Sequence, residues 1–416
     1  MKILIVGGGG REHAIAQTLY RQGHSLWCAP GNGGISQIAT CVPIKATDIE
    51  KMAAYAAEEQ FDLVVVAPDD PLAMGMVDRL KEKGIKAFGP DAAAAQIEAS
   101  KAFTKELLKK YDIPTGGFSV CGSVEEAYHV LDSHPLPVVV KADGLALGKG
   151  VYICQTREQA KRAVSEIMEE HVFGAAGSKV LIEEFLTGPE VSFLCFCDGK
   201  HIAPMPAAQD HKRAYDGDQG PNTGGMGAFC PTPTFTEALK QEVIDTIVRP
   251  TVDAMAKEGR PFKGVLYCGL MLTPNGPKVL EYNARFGDPE TQAILPLLKS
   301  DLAEIFLATI DGTLDQISIE WEDAAAVCIV LASGGYPKEY QSGYEIHGLN
   351  ACEETGAMVY HAGTKREGDR FRTAGGRVLG VVRTAPTLSE AIKAAYASVQ
   401  RISFQDMHYR KDIGIK

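Results

Sequence analysis

Five consecutive apolar residues, Leu63-Val64-Val65-Val66-Ala67, lead straight into Pro68-Asp69-Asp70-Pro71. A strand with no polar member is buried on both faces, and such strands belong to parallel sheets covered by helices. Residues 2–6 and 25–29 are similar, each apolar after a polar first residue, Lys2 and Ser25. The first runs into four glycines and the second into Pro30-Gly31-Asn32-Gly33-Gly34. Helical stretches at about 11–23, 51–59 and 72–83 separate the strands, and a short strand at 86–88 precedes Gly89-Pro90. This alternation predicts an N-terminal parallel α/β domain over residues 1–100. Ligands of such sheets sit beyond the carboxyl ends of the strands, which here are the Gly- and Pro-rich turns.

The chain has 416 residues, too long for one ordinary domain. Its 42 basic and 53 acidic residues leave a net charge of −11. With no Lys/Arg block, that balance excludes sequence-independent nucleic-acid binding. The longest apolar runs, such as 63–67 and 324–332, fall far short of the roughly 20 residues of a membrane helix. The first apolar run breaks at Gly7 and passes into Arg11-Glu12-His13, so it is a buried strand and not a signal peptide. Ten cysteines are scattered singly, with Cys195 and Cys197 closest together. Neither a Cys-x-x-Cys pair nor a Cys/His zinc spacing occurs. Reduced thiols in a cytoplasmic protein are expected, with no obligate protein partner indicated.

Four segments carry chemistry. The Gly7–Gly10 loop suggests a dinucleotide fingerprint, but Gly-x-Gly-x-x-Gly counted from Gly7 needs glycine where Glu12 stands. Glycines ahead of a helix still offer backbone N–H groups to an anion, with Gly9 the candidate contact; a tight turn without a ligand is the other reading. Second, an apolar strand at 135–141 delivers Lys141 into Ala142-Asp143-Gly144-Leu145-Ala146-Leu147-Gly148-Lys149-Gly150. Its glycines allow close approach to phosphates and its lysines supply charge, although the Walker ending is missing. Third, Val180-Leu181-Ile182-Glu183-Glu184-Phe185-Leu186-Thr187-Gly188-Pro189-Glu190 is a strand ending in carboxylates. Such a segment either meets an adenine edge and a ribose or forms an acidic solvent-facing turn. Fourth, Glu281, Asn283 and Arg285 alternate along Val279-Leu280-Glu281-Tyr282-Asn283-Ala284-Arg285 and so share one strand face. A carboxylate and a carboxamide are hard oxygen ligands for Mg²⁺, and the guanidinium suits a phosphoryl group in flight. An edge strand with a surface ion pair is the plainer alternative.

The order of these parts is decisive: Lys101, then Lys141 with its glycine loop, then Glu183-Glu184-Phe185-Leu186 with Glu190, then Glu281-x-Asn283-x-Arg285. It resembles the ATP-grasp fold over roughly residues 101–322, with a mobile lid subdomain at about 113–185 and a small C-terminal α+β domain at 323–416. Further stretches narrow the resemblance: Gly10-Arg11-Glu12-His13-Ala14, Gln209-Asp210-His211-Lys212-Arg213, Gly220-Pro221-Asn222-Thr223-Gly224-Gly225-Met226-Gly227 and Phe286-Gly287-Asp288-Pro289-Glu290. Together they are similar to the glycinamide ribonucleotide synthetase family of carboxylate–amine ligases.

That resemblance implies an ATP-dependent ligation of glycine to 5-phosphoribosylamine through glycyl phosphate, in purine biosynthesis. It implies ATP as co-substrate on Lys101, Lys141, Gly144, Gly148 and Gly150, with Glu183, Glu184, Phe185 and Leu186 as the adenine hinge and Glu190 on the ribose. It implies Mg²⁺ or Mn²⁺ on Glu281 and Asn283, and Arg285 as the catalytic group on the transferring phosphoryl. Gly9, Asp210, Lys212, Asp288, Lys365 and Arg377 are the implied substrate residues. Two departures stand out. The strand at 264–272 brings no carboxylate for a second ligand, and the turn that often reads Gly-Pro-Glu in relatives is Ala67-Pro68-Asp69-Asp70. The rival within the fold is another ATP-grasp ligase or a biotin-carboxylase-like enzyme.

Overall fold

The computed structural model describes residues 1–145 and 150–415. Its first sheet is parallel, in the order Thr40–Cys41, Ser25–Pro30, Lys2–Gly7, Leu63–Val66, Ala87–Phe88. Side chains alternate between two cores, as a strand buried on both faces requires. Ile3, Ile5, Leu63 and Val65 enter one cluster, and Leu4, Val6, Val64 and Val66 the other. The strand order reverses beside Lys2–Gly7, which opens a crevice at its carboxyl end. The single helix expected at 72–83 is two, Asp69–Ala73 and Met76–Glu82. Gly75 lies between them at φ +86°, a left-handed conformation that ends the first helix. A helix at Ala92–Ala99, which the sequence reading did not find, runs into Lys101–Lys110.

A four-stranded antiparallel sheet follows, ordered Phe118–Cys121, Val180–Glu184, Val138–Ala142, Val151–Cys154. Helices Val124–Ser133 and Arg157–Met168 bury Leu131, Val164 and Ile167 against it in a separate hydrophobic cluster. The next sheet, Ile202–Pro204, Glu190–Asp198, Lys263–Thr273, Gly276–Asn283, is also antiparallel. Behind it, Glu237–Val243 passes through a π turn, Ile244–Val248, into Arg249–Lys257. Pro250 has no N–H to give to an α-helical bond there, which suits the wider turn.

The last sheet joins distant parts of the chain. Its order is Gln209–Asp210, Gly227–Cys230, Ala325–Ser333, Arg377–Ala385, Met358–His361, with Met407–His408 also on Ala325–Ser333. Helix Leu388–Val399 covers it through Ala391, Ala395 and Val399. The Arg-Glu-His motif lies where the first and last sheets meet. The His361 N–H donates to His13 Nδ1 at 2.7 Å, and Asn32 Nδ2 donates to His361 O at 2.7 Å. Burial, with the His361 ring adding to it, holds His13 well below the usual histidine range, in keeping with its acceptor role. Among the described residues, no helix is long and apolar enough to cross a membrane.

Candidate active site

The metal-type pair sits at a bulge. Gly269 pairs with Glu281 and Leu270 with Val279, so Leu280 is the extra residue between them. Its freed carbonyl accepts from Lys141 Nζ at 3.2 Å. Past the bulge Glu281 and Asn283 are both half-buried, and the strand ends at Asn283. Arg285 therefore lies in the following loop, with Nη2 only 3.4 Å from Asn283 Oδ1. The Glu281 carboxylate makes no hydrogen bond or ion pair to a described residue. Burial pushes its carboxyl up, but Lys212, Lys141, Lys101 and Arg285 outweigh that and hold it below the usual range. An open carboxylate among cations, beside a carboxamide oxygen, fits a hard divalent ion bridged to phosphates.

Lysines line one side. Lys101 Nζ donates to Gly144 O at 2.7 Å, and Gly144 has φ +101°, a conformation natural only to glycine. Lys141 Nζ lies 3.1 Å from Glu183 Oε2. Burial raises the Glu183 carboxyl, but Lys141 and Lys105 overcome this and keep it low. Glu184 is exposed, its Oε2 accepting from Gly117 N at 2.9 Å, while Leu186 is buried near Gly116. Gly150 is buried at the end of the loop, and Gly148 lies outside the described residues.

Glu190 and Lys212 pair at 2.7 Å. Burial drives Asp210 up to about 7; Lys212 opposes this, and Glu290, Glu190 and Glu281 add to it. Glu290 is buried beneath, accepting from Ser192 Oγ at 2.9 Å and Tyr267 OH at 3.0 Å.

A second group lies beyond Arg285. Arg377 Nη2 meets Asp288 Oδ2 at 3.0 Å, and its Nη1 reaches Asp288 O at 2.8 Å and Gly224 O at 2.7 Å. Gln292 Nε2 donates to Asp288 Oδ1 at 2.7 Å. Gly9 is adjacent: a Cβ there would stand 3.7 Å from Asp288 Oδ2. The Gly9 N–H itself is taken by Glu12 Oε2 at 2.6 Å, so this donor is already satisfied within the turn. Lys365 is exposed on Thr364–Glu367, and its ammonium has no partner among the described residues.

Three family models together match most of the chain. The model for the phosphoribosylglycinamide synthetase N domain matches residues 1–98, that for its ATP-grasp (A) domain 99–291, and that for its C domain 326–416. The chain belongs to the phosphoribosylglycinamide synthetase family. The phosphoribosylamine–glycine ligase of Caldanaerobacter subterraneus is 49% identical over 99% of both chains. The human trifunctional purine biosynthetic protein adenosine-3 is 47% identical over all of this chain and 42% of its own length. The crystal structure of phosphoribosylamine–glycine ligase from Thermotoga maritima superposes with TM-score 0.87 at 34% identity, covering 99% of this chain and all of that one. A biotin carboxylase domain from Hydrogenobacter thermophilus shares the fold at TM-score 0.74 and 16% identity, covering 98% of this chain and 91% of that one.

Glu98 and Lys105 of this phosphoribosylglycinamide synthetase cleft carry no signal in the sequence, and Asp69 stands out there only through the turn Ala67-Pro68-Asp69-Asp70. Glu98 accepts the Ala284 N–H at 2.7 Å and lies 3.0 Å from Arg285 Nη2. Asp69 stands 3.9 Å from the same guanidinium group. Lys105 is buried against Glu183 at 2.8 Å. Burial, reinforced by Asp69 and opposed by Arg285, raises Glu98 from an ordinary 4.5 to about 7. The native state then keeps a proton that the unfolded chain releases, so this contribution to stability is present below pH 4.5 and lost as pH rises through 7. The shift corresponds to about 3 kcal/mol. Glu98→Gln is expected to flatten the fall in unfolding free energy between pH 5 and 8 by that order; parallel curves for the two proteins would discount the shift.

Proposed function

We propose that this cleft joins the carboxylate of glycine to the amine of 5-phosphoribosylamine, with ATP cleaved to ADP and phosphate. The observation that carries the reading is Glu281, an open carboxylate held ionised among Lys101, Lys141, Lys212 and Arg285. In this reading Lys101, Lys141, Gly144, Gly148 and Gly150 hold the phosphates, residues 183–186 face the adenine, and Glu190 meets the ribose once it parts from Lys212. Glu281 and Asn283 would hold the divalent ion, and their hard oxygens suit Mg²⁺ and Mn²⁺ alike. When bound, that ion neutralises charge on the β- and γ-phosphates.

A carboxylate resists amine attack because its oxygen is a poor leaving group. The glycine carboxylate therefore takes the γ-phosphoryl, ADP departs, and glycyl phosphate forms. Arg285 supplies positive charge where the phosphoryl passes. The sugar amine then attacks the acyl carbon, loses a proton, and phosphate leaves with the bonding pair. Asp288 and Arg377 receive the amino sugar, Gly9 lets it approach, and Lys365 supplies a further cation for its phosphate. Asp210 and Lys212 border the space between the two halves of the reaction. Ten free cysteines, none used, agree with a reducing cytoplasm.

The test is ADP release that requires glycine and phosphoribosylamine together. Release with bicarbonate instead of glycine would favour the biotin-carboxylase type and overturn the reading. Arg377→Ala is expected to raise the apparent KM for phosphoribosylamine about 30-fold, the loss typical of a charged hydrogen bond. ATP and glycine should be unaffected; an unchanged KM for the amino sugar removes Arg377 from its site.

A further inference from the structure

Helix Lys101–Lys110 turns two lysines, four residues apart, onto one face. Lys101 reaches the glycine loop at Gly144 O. Lys105, one turn further on, points into the base of the 118–184 subdomain and is only 3% exposed. A buried ammonium group is costly unless fully paired. Lys105 has two partners, Glu183 Oε2 at 2.8 Å and Thr115 Oγ1 at 2.8 Å.

Those partners belong to the two chain crossings that connect the subdomain to the body. On the way in, Thr115 donates its hydroxyl to Val279 O at 2.7 Å, and Val279 N donates to Pro114 O at 2.9 Å. The entering crossing is thereby stitched to the strand that bears Glu281. On the way out, Glu184 N donates to Gly117 O at 2.8 Å, one residue past the end of the Lys105–Glu183 pair. A single ammonium group thus binds both crossings where they meet.

The charges add a second reason. Glu183 Oε2 is shared between Lys105 and Lys141, at 2.8 and 3.1 Å. Lys141 is also the lysine assigned to the nucleotide phosphates. With Lys141 turned to phosphates, Glu183 would keep one of its two cations, Lys105, in a buried setting. Lys105 faces Thr115 and the Phe118 ring as well as Glu183.

We infer that Lys105 is a positioning residue for ATP: it pins both crossings of the lid subdomain and keeps Glu183 compensated, which frees Lys141 for the phosphates. The inference rests on the assignment of ATP to this cleft.

Lys105→Met, Lys105→Arg and the double variant Lys105→Met/Glu183→Gln, each in the full chain, test it by equilibrium binding of ADP with Mg²⁺ and by steady-state kinetics. Lys105→Met should weaken ADP and raise the KM for ATP about 30-fold, with the KM for glycine within twofold of wild type. Lys105→Arg should recover most of the affinity. The double variant, which has no carboxylate left to compensate, should bind ADP more tightly than Lys105→Met. ADP affinity within threefold of wild type in Lys105→Met overturns the inference, as does equal loss for ATP and glycine. If Lys105→Met does not fold, the double variant decides: tenfold or weaker ADP binding there, with Lys105→Arg no better, is also contrary to it. Failure of the wild type to bind ADP would instead remove the ATP assignment itself.

Discussion

Glu281→Gln is expected to lower turnover by about a thousandfold or more while leaving the melting temperature within a few degrees of wild type. The substitution keeps the shape of the side chain and removes one negative charge. Because the Glu281 carboxylate bonds to no described residue, the fold loses no side-chain hydrogen bond by it. What is lost is a carboxylate that feels Lys212, Lys141 and Lys101 together. The neighbouring strand Lys263–Thr273 has no acid to replace it, and Glu290 is already committed to Ser192 and Tyr267. A lost metal ligand removes several kcal/mol of charge stabilisation in phosphoryl transfer, and each 1.4 kcal/mol or so is tenfold in rate. Steady-state ADP release and thermal unfolding, measured on the same preparation and over a Mg²⁺ titration, check it. Turnover within tenfold of wild type at equal stability would reject Glu281 as a ligand.

The parts of this site that were legible in the sequence announce themselves by local pattern. Leu63–Val66 is a strand because nothing in it is polar, and Glu281 and Asn283 stand out because polar residues interrupt an apolar strand. Glu98 had no such signal. It sits in a helix whose first four residues are alanines, and only the distant loop at Ala284 and Arg285 gives its carboxylate a purpose. Lys105 looks like Lys109 and Lys110 in the sequence; burial alone separates it from its exposed neighbours. The strands Gln209–Asp210 and Gly227–Cys230 are too short to show a period of two; Gly227–Cys230 becomes a strand by pairing with Ala325–Ser333 from another part of the chain, and Gln209–Asp210 by pairing with Gly227–Cys230. Unbroken alternation predicts one face shared by Glu281 and Arg285. The strand ends at Asn283, so Arg285 is instead brought there by the loop and held by Glu98.

That hold makes Arg285→Lys the second large effect, with turnover expected to fall about a thousandfold and the KM values for ATP and glycine to change by less than fivefold. The guanidinium is fixed on several sides at once: Glu98 Oε1 at 3.0 Å, Phe286 O at 3.2 Å, Asn283 Oδ1 at 3.4 Å and Asp69 Oδ2 at 3.9 Å. Burial works against its charge, but Glu98 and Asp69 raise its pKa further above the ordinary value, so it stays protonated at any working pH. A lysine has the same charge but one nitrogen, and no planar fork to span Glu98 and the phosphoryl together. It would pair with Glu98 and leave the phosphoryl without its cation. Arginines that meet a transferring phosphoryl are worth about 10³–10⁵ in turnover, whereas an arginine that only secures a loop would show its loss in melting temperature. A Lys variant that melts like wild type yet turns over a thousand times more slowly therefore assigns Arg285 to the transition state. One that loses stability and keeps turnover within tenfold assigns it to the loop, and the phosphoryl would then have to rely on Lys101 and Lys141 alone.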